Sequence, residues 1–261
     1  MPLRWNDHSQ IVSTGRIWIG CCGWAGARAP YFQQFRTIEL QNTFYQPPKI
    51  ELVEKWKHEA PEGFRFCLKA WQLITHPASS PTYRKLKVRL SEESKSRTGG
   101  FQQSDEVYSA WETTLAIARA LEATVILFQC PASFGPEERN IRNLEAFFSS
   151  IAKQPYRFAW EPRGNWPRDL VRDLCARLRL IHCVDPMTDQ PVTEGTQYLR
   201  LHGRGGYYYR YRDSELRELA GKLLADSSQE ACVLFNNTSM RDDAARLAAM
   251  MEEAAGPSVS S

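Results

Sequence analysis

Short apolar runs recur along the chain, separated by longer segments whose apolar residues return every three or four positions. The short runs are RIWIGCC (16–22), TIELQNT (37–43), RFCLKA (65–70), TVILFQC (124–130), RFAWEP (157–162), IHCVDP (181–186), QYLRLHG (197–203) and CVLFNN (232–237). Each is rich in β-branched or aromatic residues and most end in polar ones, the pattern of eight buried strands. The longer segments read as helices. Val107, Trp111, Leu115 and Ala118 share one face behind a capping Ser104, and Leu170, Leu174 and Leu178 follow Pro167. Asp213 reads as the cap of a helix carrying Leu216, Leu219 and Leu223, and a last helix follows Ser239. Strands alternating with helices make a parallel sheet, and eight strands close a (β/α)8 TIM barrel, an α/β fold. A doubly wound open sheet is the alternative.

Two places depart from a regular barrel. The ten residues 187–196 between the sixth and seventh strands are too few for a crossover helix, and residues 71–103 form a long insertion after the third strand. The insertion is rich in Ser, Pro, Lys and Arg and reads as a mobile lid or partner-contact loop. The expected organisation is an N-terminal extension (1–15), one barrel domain (16–253) and a disordered tail (254–261).

Composition narrows the class. Of 261 residues, 43% are hydrophobic and 24% charged, which argues against disorder and fibres. The net charge of +3 argues against non-specific DNA binding by the whole chain but leaves room for local basic patches. No apolar run reaches the ~18 residues of a membrane span, and the polar start MPLRWNDHSQ lacks an export signal, so the expected compartment is the cytoplasm. Seven cysteines without CxxC spacing read as small buried thiols, with Cys21 or Cys22 as a nucleophile the alternative.

Barrel enzymes build their sites at the C-terminal ends of the strands. Those ends carry Glu39, Asn42 and Tyr45; Lys69, with His76 beyond it; Gln129; Glu161 and Arg163; Asp185; Arg200 and His202; and Asn236 with Asn237. Glu39, Glu161, Asp185, His202 and Lys69 are the candidates for chemistry. Lys69 could hold an anion, form a Schiff base or pair with Glu39 or Glu161. Trp24 and Trp166, each just past a strand, are candidates for stacking a planar ligand. Asn42, Tyr45, His76, Gln129, Arg163, Arg200, Asn236 and Asn237 are the remaining binding candidates. Glu161 is the leading candidate for proton transfer, with Arg163 beside it and Trp166 as a shield from water.

The segments IGCCGW (19–24), FRTIELQNTFYQ (35–46), GFRFCLKA (63–70), ILFQCPASF (126–134), WEPRGNWP (160–167), YLRLHGRGGYYYRY (198–211) and LFNN (234–237) together resemble one family, domain-of-unknown-function family seventy-two, the YecE-like proteins. They run in family order over nearly the whole chain. The resemblance implies a TIM barrel and supplies no activity. Cys21–Cys22 stand where the family usually has Thr-Ser, the segment from Trp24 to Tyr31 is shorter than usual, and WQLITHPASSPTYRKLK resembles an archaeal-type branch.

The rim supports a hydrolase or lyase reading: acid–base or metal-assisted chemistry on a phosphate-containing or nucleotide substrate. A divalent metal is a candidate cofactor, although no HxH or HExxH spacing is present. The alternative is a non-catalytic nucleotide or nucleic-acid binding protein, using the Arg204–Arg212 loop and the basic run YRKLKVR (83–89). The chain has no P-loop, and no GxGxxG follows the first strand.

Overall fold

All eight predicted strands form, each parallel to the next, and the eighth pairs with the first to close the barrel. They are β1 (Ile17–Cys22), β2 (Thr37–Leu40), β3 (Arg65–Lys69), β4 (Val125–Gln129), β5 (Arg157–Glu161), β6 (Leu180–Val184), β7 (Gln197–Leu201) and β8 (Ala231–Phe235). The computed structural model describes residues 17–225 and 230–255. The predicted extension 1–15 lies outside the described residues.

The outer layer holds α1 (Arg28–Gln34), the single turn α2 (Asn42–Tyr45) and α3 (Ile50–Glu59). It continues with α4 (Gln72–Thr75), α5 (Glu92–Ser96), α6 (Asp105–Leu121), α7 (Glu138–Ile151), α8 (Arg168–Leu178), α9 (Asp213–Ala225) and α10 (Met240–Ala255). Ser104 caps α6 as predicted, its Oγ accepting from the Val107 amide. Asp213 does not cap α9. There Glu215 reaches back to accept from the Arg212 amide at 2.9 Å, and Asp213 pairs with Arg246 of α10. The last helix runs to Ala255, beyond the predicted boundary of the tail; residues 256–261 lie outside the described residues.

The insertion is not a bare loop. It contains α4, a 3₁₀ turn (Pro81–Lys85) and α5. Leu73, Ile74 and Phe101 sit in the core, and the amides of Gly99, Gly100 and Phe101 donate to the carbonyls of Leu73, Thr75 and Ile74. Its two ends are therefore zipped together against the barrel, and only the basic stretch between them projects. The β6–β7 connection, residues 185–196, carries no helix among the described residues, as its length predicts.

Alternate residues of each strand face the barrel interior. The apolar part of that interior is made of small or slender side chains: Cys22, Cys67, Val125, Leu127, Ala159, Cys183, Cys232 and Leu234, with Tyr198. All seven cysteines are buried and free, as predicted. Four of them line the interior, where small thiols leave room for long polar side chains reaching in from β2, β3, β5 and β7.

Gly20 is the tightest point of the wall. A Cβ there would stand 2.2 Å from the Thr37 carbonyl oxygen on the neighbouring strand. Gly20→Ala is expected to cost about 3 kcal/mol by forcing β1 and β2 apart. Thermal denaturation checks this, and an unchanged midpoint would show that the wall yields.

Candidate functional site

The strand-end rule brings Glu39, Lys69, Glu161, Arg200 and His202 to one mouth. Glu39 ends its strand's inward row after Thr37, Lys69 follows Cys67, Glu161 follows Ala159, and Arg200 follows Tyr198. Arg200, 1% exposed, lies across the barrel axis between two carboxylates. Its Nη1 donates to Glu161 Oε2 at 2.6 Å and its Nη2 to Glu39 Oε1 at 3.0 Å. Tyr198 donates its hydroxyl to Glu39 Oε2 at 2.8 Å, and the Gln41 amide donates to Glu39 Oε1.

Glu161 is equally occupied. Its Oε1 accepts from Arg163 Nε at 2.6 Å and lies 3.2 Å from His202 Nε2, while the Cys183 thiol approaches Oε2 at 3.8 Å. Burial opposes its charge, but Arg200, His202 and Arg163 together hold its carboxyl well below the usual carboxylate range. Burial likewise works against the Arg200 guanidinium, and Glu39 and Glu161 outweigh it.

His202 Nε2 also stands 2.7 Å from Arg163 Nη2, and the Asn236 side-chain amide lies 3.1 Å from Nδ1. A guanidinium can only donate, so Nε2 answers Arg163 as an acceptor or Glu161 as a donor. Moving one proton between the ring nitrogens exchanges its partner. Gly203, next in the chain, has φ of +86°, and a Cβ there would meet the Gly206 carbonyl oxygen at 2.5 Å. The turn that carries His202 away from β7 therefore requires glycine.

Lys69 differs from every other charge at the mouth. It is 5% exposed, and among the described residues Nζ makes no hydrogen bond or ion pair, lying instead 3.5 Å from the centre of the Phe44 ring. Burial and the nearby Arg200 charge push its pKa down to about 7, against the pull of Glu161 and Glu39. Of the alternatives for Lys69, the pairing with Glu39 or Glu161 does not form: Arg200 and Tyr198 take the oxygens of Glu39, and Arg200 and Arg163 those of Glu161.

A family model described as a protein of unknown function, DUF72, matches residues 18–261. The chain belongs to the DUF72 family. The UPF0759 protein YunF of Bacillus subtilis is 22% identical over 281 residues, covering 90% of this chain and 94% of that protein. Among solved structures, a DUF72 protein of Enterococcus faecalis superposes with a TM-score of 0.70 at 22% identity, covering 92% of this chain and 97% of the other. A DUF72 protein of Thermotoga maritima gives 0.64 at 16%, covering 92% and 98%. D-psicose 3-epimerase from Clostridium cellulolyticum, at 0.54 and 10% identity over 92% and 96%, shares the barrel fold.

Several predicted site residues of this DUF72 chain serve the scaffold instead. Asp185 Oδ2 accepts from the His202 amide at 2.8 Å and Oδ1 from the Met187 amide at 3.0 Å, so its carboxylate fixes backbone. Asn237, fully buried, donates to the Tyr209 carbonyl of the β7–α9 loop and to Asp243 of α10. The Trp24 ring is met edge-on by Tyr31, Phe32 and Trp56, which commits it to packing. Trp166 packs against Trp160 on the outer side of β5 and donates Nε1–H to the Phe134 carbonyl, so Arg163 and His202, not Trp166, cover Glu161. His76 is buried with Nδ1 2.8 Å from Thr75 Oγ1 and its ring edge-on to Phe44; burial, then Lys69, push its pKa down to about 3.

The second strand stops at Leu40, three residues before its predicted end, because residues 42–45 turn into α2. Thr43 anchors that turn by donating to the carbonyls of Leu40 and Lys69. As a result Phe44 sits beside the Lys69 amine, Asn42 is exposed, and half-buried Tyr45 is covered by Lys85 of the insertion at 4.2 Å. Gln129 ends β4 in register with Glu161, and its side-chain amide makes no hydrogen bond to another described residue. The sequence reading did not single out Gln41, Phe44 or Tyr198. The period of two along β2 and β7, which places Gln41 after Glu39 and Tyr198 before Arg200, was the available signal.

Among the described residues no group of three or more His, Cys, Asp or Glu side chains is arranged to hold a metal ion. A cation seated between Glu39 and Glu161 would have to displace Arg200 from both. No described helix is long and apolar enough to cross a membrane.

Proposed function

We propose that this barrel is an enzyme acting on a small anionic substrate, carboxylate- or phosphate-bearing, by proton transfer at the mouth. One observation carries the reading: Lys69 is a buried amine without a hydrogen bond or ion pair, beside an array in which every carboxylate oxygen is already engaged. Unpaired buried charge is costly, and sites that retain it are commonly functional. Glu161, held ionised by three donors, suits positioning Arg163 and His202 better than accepting a proton. The proton-transfer role passes from Glu161 to Lys69, whose pKa near 7 matches the task. Arg163, 37% exposed at its side chain, keeps Nη1 free for an anion, and Gln129 offers an uncommitted amide on the same rim.

Inorganic phosphate and small carboxylates, titrated calorimetrically, test this. Saturable binding is expected, weakened about tenfold by Arg163→Ala, the loss of one charge-assisted contact. Heats unaltered by either Arg163→Ala or Lys69→Met would overturn it.

The non-catalytic nucleic-acid reading draws on the basic run 83–89 and on the β7–α9 loop, where Tyr207 and Tyr208 are 54% and 87% exposed. The arginines of that loop are compensated: Arg204 and Arg212 face Glu215, and Arg210 pairs with Asp242. That leaves few charges for phosphates on the loop that carries the exposed tyrosines, apart from the run 83–89, and supports the enzyme reading.

A further inference from the structure

We propose that Lys69 is a nucleophile that forms an imine with a small aldehyde or ketone carrying an anionic group. This rests on the anion-binding reading and names its substrate class. Three features of the site support it. The amine stands at the C-terminal end of β3 on the inward row, the end at which barrel sites are built. No carboxylate accepts from it and so holds it as an ammonium ion, since Arg200 and Arg163 occupy Glu39 and Glu161. The Phe44 face and the Thr43 bond to the Lys69 carbonyl hold the residue at both ends, so the amine is presented rather than mobile.

An amine in this setting, its pKa near 7, is half unprotonated at neutral pH, whereas an ordinary lysine is almost wholly protonated. The step balances without an added reagent. The Nζ lone pair attacks the carbonyl carbon, a C–N bond forms, and the carbonyl π electrons pass to oxygen. Both amine protons then leave with that oxygen as water, giving C=N. The anionic group falls to Arg163, which also lies close enough to depress Lys69 further when nothing is bound.

The test is reductive trapping of the full chain with glyoxylate and cyanoborohydride, read by peptide mass mapping, with propionaldehyde as the neutral probe. One carboxymethyl group is expected on Lys69, forming about tenfold or more faster than on the exposed lysines, because an ordinary lysine amine is almost wholly protonated at neutral pH. The rate should rise through a midpoint near neutral pH, should slow in Arg163→Ala for glyoxylate and not for propionaldehyde, and should vanish in both Lys69→Met and Lys69→Arg. Labelling spread evenly over surface lysines overturns the imine, and if phosphate still binds, the anion-binding reading survives it. Equal trapping of both probes in the parent and in Arg163→Ala overturns the anionic selectivity. Absence of both trapping and phosphate binding overturns both readings.

Discussion

Arg200→Met is expected to cost about 3–5 kcal/mol of folding stability, because it strips two buried carboxylates of their shared partner at once. Glu39 is fully buried and Glu161 nearly so, and neither can reach water for compensation. The sign with pH follows from Glu161, whose carboxyl is held well below its ordinary value in the folded chain. In the parent, the stability this lends is present above the unfolded carboxylate pKa and is lost as pH falls through the folded one. In Arg200→Met that contribution is gone, so the deficit should be largest near neutral pH and should shrink in acid, where the Glu161 carboxyl accepts a proton. Glu39→Gln with Glu161→Gln in the Arg200→Met background should recover much of the loss, since neither position then carries the charge that Arg200 compensated. Urea denaturation over a pH series checks it. A loss below ~1 kcal/mol would place Arg200 with surface ion pairs.

Lys69→Met is expected to do the opposite. The Lys69 pKa falls from 10.5 unfolded to about 7 folded, so the folded chain binds its proton less readily. The penalty is fully present below about pH 7 and is relieved as pH rises toward the unfolded value. Methionine has similar length and no charge, so the variant should be more stable than the parent at about pH 6, on the order of 2–4 kcal/mol after allowing for the lost contact with Phe44. The gain should fade by about pH 10. Thermal midpoints at the two pH values decide it: a variant less stable than the parent by the same amount at both would mean that Lys69 carries no strain. Stabilisation on removal of a residue at the mouth is the exchange expected where function is retained against stability.

The barrel itself was legible because its strands are short, apolar and evenly spaced, and because the one missing helix follows arithmetically from a connection too short to hold it. Convergence of Glu39, Lys69, Glu161, Arg200 and His202 was legible for the same reason, since strand ends share a rim. What was not legible depends on closure. That Arg200 spans the axis to reach both carboxylates, and so leaves Lys69 without either, is a fact about side chains facing one another across a barrel. Polar residues just past a strand were equally ambiguous. Asp185 and Asn237 read like His202 and Asn236 in sequence, yet turn to backbone amides and to Asp243, because a loop's unpaired backbone groups compete for the same side chains. Trp24 and Trp166 went to packing since aromatic bodies find more area under the loops than over the mouth.

Asp185 opens the short β6–β7 connection and at the same time holds the His202 amide. That connection lies on the outer wall, tied to β6 where the Val192 amide donates to His182 Nδ1 and the His182 amide to Thr193 Oγ1. A regular barrel would place a helix there, insulated from the rim by its own packing. Here the wall segment and the backbone of a rim histidine share one carboxylate, so substitutions accumulating among residues 186–196 register in the placement of the His202 ring without touching the mouth. The stretch most free of the repeat is thus a handle through which drift on the outside of the molecule retunes the reactive end.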